Sequence, residues 1–479
     1  MIKFIITNNI RYNNKLYMMN QLNLKNISDD CLDKEIHTYG RVHKIRSIGK
    51  RCFLILRDQI WSIQCTFNRG DSDNERKQYK DICKIPPESF IKVKGTISRL
   101  PENIAKVQST YYKNFEMKIS SIEMISRSVE NLPFTLEDVN ELYGKKDRNK
   151  VSLHKRLDNR PFDLRAPFNN CIFRIQSGIC KLFREYLLER DFIEIHSPKI
   201  IGTASEGGAA VFSIDYFDNT VYLAQSPQLY KQMCINSDFN RVFEIGPVFR
   251  AEKSISHRHL CEYISLDMEM ALTPGNDYHE IIYMIWGALC YIFNNIKIIC
   301  QEQISYIKSI YQYQDICYSK DPLIINFKEG VKMLKDAGLE QDEFGDLNTQ
   351  NEKKLGELVK LKYGYDLFVL DKYPSNVRPF YTMPAEDPLY SNSYDIIMRG
   401  QEISSGSQRV HDLPMLLNRL SELKLDQMTL RDYLDSFKYG SRPHGGMAIG
   451  IERGVMLYLD LDNIRETSLY PRDPNRVTP

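Results

Sequence analysis

Neither sign of charge dominates this chain: 64 lysines and arginines stand against 62 aspartates and glutamates across 479 residues. Whole-chain electrostatics therefore neither mark nor exclude a nucleic-acid partner, and any such surface has to be a local basic patch. The eleven cysteines include no Cys-x-x-Cys pair and no Cys/His cluster at metal spacing. That pattern excludes a structural zinc site and, in a chain of this length, favours reduced thiols in a cytoplasmic setting over a disulfide framework. The longest apolar run, Ile281 to Phe293, is too short to cross a bilayer and reads as a core helix, so no membrane partner is expected. Residues 1–28 contain no acid, yet they lack the serine and arginine richness of a transit peptide. Residues 1–34 read as a flexible tail.

With 42% apolar residues the chain can bury at least two substantial cores, which predicts two or three domains. Short alternating segments fill residues 35–127. Cys52, Leu54 and Leu56 alternate with Phe53 and Ile55, and Trp61, Ile63 and Cys65 alternate with Ser62, Gln64 and Thr66. This is the pattern of a small all-β barrel. Phe53, Gln64 and, in the segment NFEMKI, Glu116 take the outward parity. His43, Lys44, Arg46, Lys50 and Arg51 lie nearby, so the outer face offers an aromatic platform within a basic rim, the means by which such barrels hold single-stranded nucleic acid. Residues 128–165 are polar and less periodic and read as a hinge.

The remainder, 166–479, reads as one large α+β domain. Ile175, Ile179, Leu182, Phe183, Tyr186 and Leu187 follow helical spacing, and the extended run FIEIHSPKI follows, closed by Pro198. Ser-Glu-Gly-Gly at 205–208 suggests a mobile flap, and Gln225, Gln228 and Lys231 form a polar cluster in an apolar stretch. From Val242 to Ala271 two strands are joined by a charged loop. On the second, Tyr263, Ser265, Asp267 and Glu269 share one face and Ile264, Leu266, Met268 and Met270 the other. Arg250 and Glu252 point one way from the first strand, with Arg258 and His259 in the loop, a set suited to a nucleotide. Residues 272–370 read as a mostly helical insertion without evident chemistry. Asp395, Glu402, Ser405 and Arg409 fall within 393–409, and a glycine-rich strand at 445–450 enters a helix carrying Arg453.

Phe-Arg-x-Glu, a loop, then Arg-His ahead of an aromatic strand resembles motif 2 of the class II aminoacyl-tRNA synthetases. The helix from Phe173 to Arg190 with Pro198 resembles motif 1, and Gly445 to Leu457 motif 3. The stretches QSPQLYKQ, GPVFRAE, HRHL, LDMEMA, SNSYD, GSQR and LYPRDP together resemble the aspartyl-tRNA synthetases of eukaryotic and archaeal type (subclass IIb) from about residue 35 to the end. That resemblance implies an N-terminal OB-fold for the anticodon, a hinge, and a catalytic domain on a mostly antiparallel sheet, working as a homodimer with ATP, Mg²⁺, L-aspartate and the aspartate tRNA, and not with DNA. It implies that Arg250 holds the α-phosphate, that Tyr263 and Arg453 sandwich adenine, and that Glu252, Arg258 and His259 serve the rest of ATP. It assigns magnesium to Asp395, Glu402 and Ser405. Aspartate falls to Glu206, Gln225, Gln228, Lys231, Asp267, Ser405 and Arg409, with Lys231 and Arg409 meeting its side-chain carboxylate. The anticodon falls to Phe53, Gln64 and Glu116. Two positions depart from the family: Tyr263 stands in place of phenylalanine, and Gln401 in place of an acid. A lysine substrate would need an anionic pocket where Lys231 and Arg409 stand, and asparagine would not need two cations. A catalytically silent RNA-binding relative would be expected to lose Arg250, Glu402 or Arg453, and all three are present.

Overall fold

The computed structural model describes residues 22–100, 109–145, 151–203 and 210–479, which form two compact units. The first takes the chain up to Ser152 together with Pro161–Asn170, and the second takes Leu153–Arg160 with Cys171–Pro479.

Five strands close the barrel of the first unit in the order β1 (Glu35–Ile48), β2 (Arg51–Asp58), β3 (Trp61–Asn68), β5 (Phe115–Ser126) and β4 (Phe90–Arg99). Cys52, Leu54, Leu56, Ile63, Cys65 and Met117 fill it, the inward set that the alternation predicts. Two expectations change. Of the expected tail, residues 22–34 are anchored: Leu24, Ile27 and Cys31 are buried, the Tyr112 hydroxyl donates to the Leu24 carbonyl at 2.7 Å, and the Lys25 ammonium lies 5.2 Å from the Trp61 ring. Residues 1–21 lie outside the described residues. The expected hinge is also structured, because Phe134, Leu136, Val139, Val151 and Ala166 make a buried cluster of their own. Its apolar residues are too irregularly spaced to advertise a period, which is why composition alone reads it as linker. The run at 146–150 is outside the described residues.

The second unit is built on an eight-stranded sheet in the order β12 (Ile324–Asn326), β13 (Leu367–Asp371), β14 (Ser393–Met398), β15 (Gln401–Gln408), β16 (His444–Gly450), β11 (Glu262–Ala271), β10 (Arg241–Phe249) and β6 (Ile193–Glu194). Its neighbours run antiparallel except at the two ends, where β12 pairs with β13 and β6 with β10 in parallel. A smaller sheet joins β7 (Ile200–Ile201), β9 (Asn219–Leu223) and β8 (Ser213–Tyr216). The helix expected before motif 1's strand is α1 (Pro167–Leu188). The strand expected over 192–200 survives only as β6 and β7, with Pro198, which has no N–H for a ladder, between them.

Four more helices position the site: α2 (Gln228–Asn236), α3 (His279–Ile299), α4 (Thr349–Tyr363) and α5 (Ile451–Tyr458). By length and composition alone α3 could cross a membrane, but Ile281, Ile285, Trp286, Leu289, Ile292 and Ile296 are buried within the fold, so it is the expected core helix. The insertion at 272–370 is helical as expected, yet it also supplies β12 and β13. Leu367–Asp371 is buried on both faces, and a continuous apolar run of that length has no period to separate strand from helix.

The first residue of α3, His279, lies between two carboxylates, with Nδ1 2.9 Å from Asp277 Oδ2 and Nε2 3.3 Å from Asp371 Oδ2. Asp371, at the end of β13, also accepts the Tyr278 hydroxyl at 2.8 Å, and Lys372 lies 4.7 Å from the Tyr278 ring. The hydrogen bond to Asp371, foremost, raises the His279 imidazole above its ordinary range. A raised folded-state pKa stabilises fully below the unfolded imidazole value and loses its effect as pH climbs through the raised one. His279→Gln is therefore expected to lower the thermal midpoint more at about pH 5.5 than at about pH 8.5. Equal losses in scans at both would mean that the ring acts as neutral packing.

Candidate active site

β10 and β11 form the expected hairpin, with Gly246 opposite Ser265, Glu244 opposite Asp267 and Val242 opposite Glu269. The polar face of β11 is not solvated. Ser265, Asp267 and Glu269 are 4%, 1% and 0% exposed, so two acids sit in a low dielectric and need partners. Lys231 of α2, itself fully buried, places Nζ 2.9 Å from Asp267 Oδ1 and 3.6 Å from Glu269 Oε2. Arg409, just beyond β15, grips Glu269 through Nε at 2.8 Å and Nη2 at 3.1 Å. Burial pushes the Glu269 carboxyl up, but Arg409 and Lys231 outweigh it and hold it below the usual carboxylate range. Gly446 of β16 makes the close approach possible, since a Cβ there would stand 2.3 Å from Glu269 Oε2.

Arg409 also donates to Ser407 Oγ at 2.6 Å and to Gln228 Oε1 at 3.1 Å. A guanidinium has only donors, so the contact fixes which end of the Gln228 amide faces it. The amide nitrogen is thereby turned away, and it is buried with no hydrogen-bond partner. Gln225, Gln228, Asp267, Asp395, Ser405 and Arg409 border one cavity, together with Asp346, Arg378 and Tyr381, which sequence reasoning missed.

An adjoining cleft is lined by Arg250, Glu252, Arg258, His259, Tyr263, Glu402 and Arg453, the full set expected there. Arg250, Tyr263, Ser265, Glu402 and Ser405 border both cavities, which makes them one groove. Arg250 follows β10, its N–H donating to the Cys261 carbonyl at 2.8 Å, and its guanidinium lies 6.0 Å from the Tyr263 ring. His259 Nδ1 is 2.6 Å from Ser256 Oγ. Burial first, then Arg453 and Arg258 against the pull of Glu252, hold this imidazole below its ordinary range, so it is neutral near pH 7. Arg453, in the first turn of α5, donates to the Glu402 carbonyl at 3.0 Å and to the Arg258 carbonyl at 3.2 Å. Its neighbour Glu452 accepts the Ile264 N–H at 3.1 Å and so ties α5 to β11.

β14 and β15 set Asp395 opposite Ser405. Arg378 joins them, with Nη2 2.8 Å from Asp395 Oδ2 and Nη1 3.0 Å from Ser405 Oγ, and its guanidinium carbon lies 3.8 Å from the Tyr373 ring centre. Asp395 Oδ1 is buried with no partner. Burial, and next the Asp395 carboxylate, push Glu402 up to about 7. Asp395 and Glu402 thus line a groove with one unpaired acceptor, a donor set that fits a hard cation with further ligands from phosphate and water. No larger group of metal-binding side chains occurs among the described residues.

Two expected placements differ. Lys231 does not reach the cavity wall, because Asp267 and Glu269 hold it underneath them. Glu206 lies outside the described residues. In the first unit, Phe53 and Gln64 share the outer face, as Phe53 pairs with Thr66 and Gln64 with Ile55. Arg46 lies 5.1 Å from the Phe53 ring, while Gln64 is buried and donates to Glu116 at 2.8 Å. Glu269 carried a signal in the sequence, the same parity as Asp267. Arg378 carried none.

A closed five-stranded barrel together with an antiparallel sheet bearing an arginine-lined groove is the build of a class II aminoacyl-tRNA synthetase. The family model "tRNA synthetases class II (D, K and N)" matches residues 152–474, and "OB-fold nucleic acid binding domain" matches 36–125. The chain is 45% identical to the cytoplasmic aspartate–tRNA ligase of Mus musculus over 95% of its own length and 91% of that protein. It superposes on the aspartyl-tRNA synthetase of Entamoeba histolytica with a TM-score of 0.85 at 39% identity, covering 95% of this chain and 92% of that one. It superposes on the asparaginyl-tRNA synthetase of Pyrococcus horikoshii with a TM-score of 0.82 at 27% identity, covering 96% and 100%. The chain belongs to the class II tRNA synthetases, in their aspartate–tRNA ligase family.

Truncating Arg409 would leave the Glu269 carboxylate buried beside Lys231 alone. Arg409→Leu is expected to cost about 3–5 kcal/mol of unfolding free energy in denaturant titration. A loss below about 1 kcal/mol would mean that water reaches the pair.

Proposed function

We infer that this chain activates L-aspartate with ATP to aspartyl-adenylate and pyrophosphate and then passes the aspartyl group to the 3′ end of the aspartate tRNA. The observation that carries the choice of amino acid is the Gln228 amide. Arg409 holds its oxygen, so an N–H₂ without a partner and a guanidinium with N–H to spare stand together in the wall of the cavity that Gln228 and Arg409 both border. Two convergent donors suit a carboxylate, which accepts twice. The amide of asparagine would turn one donor against another and leave a buried group unpaired, the kind of mismatch that discriminates strongly. The name of the mouse relative agrees, and its cytoplasmic label supports the same location here.

The chemistry asks little of the protein in bond-making groups. An oxygen of the aspartate α-carboxylate attacks the α-phosphorus, a new P–O bond forms, the bond to the β-phosphate breaks, and pyrophosphate leaves. Two anions have to be aligned, and the charge building up on phosphate has to be offset. Arg250 meets the α-phosphate, the adenine lies between Tyr263 and Arg453, and Arg258 and neutral His259 meet the outer phosphates. Asp395, Glu402 and Ser405 fit Mg²⁺, which when bound supplies charge neutralisation to the phosphates. Asp267, Gln225 and Glu206 are left for the amino group.

The barrel reads the anticodon by stacking a base on Phe53 and offering Gln64 and Glu116 to base edges. The enzyme acts as a homodimer, supported by β6 being an end strand of the large sheet with Ile193 and the nearby Leu188 about half exposed.

Pyrophosphate exchange should depend on aspartate and be negligible with asparagine, and the reverse preference would overturn the substrate assignment. Phe53→Ala is expected to lower tRNA charging about ten-fold while sparing exchange, since base stacking on an aromatic contributes about 1–3 kcal/mol. A joint fall in exchange and thermal stability with unchanged tRNA affinity would make Phe53 a packing residue.

A further inference from the structure

The helical insertion reaches the groove through one side chain. Glu352, in the first turn of α4, is 6% exposed. One carboxylate oxygen lies 2.9 Å from Arg258 Nη1, and the other accepts the backbone N–H of Glu402. Arg453 bridges the same two residues through the Arg258 and Glu402 carbonyls. An acid from the insertion and an arginine from α5 thus close a ring around Arg258 and Glu402. The loop carrying Arg258, between β10 and β11, has no strand or helix of its own; the Ile464 N–H and Arg465 hold its backbone at the His257 and Ser256 carbonyls, and Glu352 is the acid that meets the Arg258 guanidinium itself.

The fit of α4 against the sheet serves this contact. Gly356 lies one helical turn beyond Glu352 on the same face. A Cβ there would come within 2.4 Å of the Gly400 Cα, in the tight turn between β14 and β15. Only glycine allows α4 close enough for a carboxylate to bond the N–H two residues beyond that turn.

We propose that Glu352 is a positioning residue for ATP, holding Arg258 where it meets the outer phosphates, a reading that rests on the assignment of the groove to the nucleotide. A fixed guanidinium spends no ordering free energy when the phosphates arrive, whereas a loose one does. A glutamine at 352 keeps the acceptor for the Glu402 N–H but presents an amide to Arg258, a donor facing donors.

The test is aspartate-dependent pyrophosphate exchange with purified parent, Glu352→Gln, Gly356→Ala, Arg258→Ala and the Glu352→Gln/Arg258→Ala pair, alongside calorimetric binding of ATP and thermal scans. Glu352→Gln is expected to raise the KM for ATP about ten-fold, a network contact of ordinary strength, with kcat and the KM for aspartate within about two-fold. Gly356→Ala should move KM in the same direction with Glu352 intact. The double variant should bind ATP no more weakly than Arg258→Ala, because a lost positioner has nothing left to position. An unchanged KM for ATP in Glu352→Gln, with Arg258→Ala impaired, would overturn this role and leave the site assignment standing. Tighter ATP binding in Glu352→Gln would overturn it too, since the carboxylate would then compete with the phosphates. So would parallel losses in both KM values, kcat and melting temperature. Normal ATP binding by Arg258→Ala would instead sink the nucleotide assignment beneath it.

Discussion

The second unit is arranged around buried acids that must not be left alone. Asp267 and Glu269 on β11 are almost wholly buried, where an unpaired carboxylate would cost several kcal/mol or take up a proton. Lys231 arrives from α2 and Arg409 from the end of β15, and each is itself almost wholly buried. Three elements far apart in sequence are thereby required to meet at one point. Replacing such a group by an apolar core would be neutral or better for stability, so the charges are retained for what they do at the cavity above them. Arg409 fixes the Gln228 amide by its oxygen and leaves its nitrogen without a partner at the cavity that Gln228 borders.

The same device recurs along the groove. Arg378 holds Asp395 and Ser405, and Glu352 with Arg453 holds Arg258 and Glu402. Each set restrains a residue that borders the groove. Side chains locked in this way on strands and first helical turns offer charge already oriented, which is the condition for electrostatic stabilisation of a transition state without reorganisation.

Period and parity in the sequence were enough for the elements that face a core on one side. The barrel strands, the β10/β11 hairpin and the glycine-rich β16 entering α5 each alternate or repeat over a length that admits one reading. The set Arg250, Arg258, His259, Tyr263, Glu402 and Arg453 was legible because each lies on or beside such an element. Legibility failed where both faces are buried, as in β13, and where apolar residues are irregular, as in the cluster around Phe134 and Val139. It failed again for partners. Helical spacing states which face of α4 is apolar, but nothing local in Asn-Glu-Lys-Lys says that Glu352 spans to a loop some ninety residues earlier in the chain. Lys231 is a case of the same kind: a lysine near a cavity reads as a ligand until the two acids above it are seen to claim it.

Pairing also settles how a groove for two anions remains folded without them. Arg378, Arg409, Lys231 and Arg258 would repel one another if bare, and flexible cations would relax outward into water. With Asp395, Glu269, Asp267 and Glu352 against them, each of these cations is neutralised where it stands. Substrates then compete for fixed donors that still have capacity, because a guanidinium carries five N–H groups and a carboxylate partner uses only some of them. On the proposed assignment, the acids that pair with these arginines are therefore what keeps their remaining N–H groups in place for phosphate and for the substrate carboxylate.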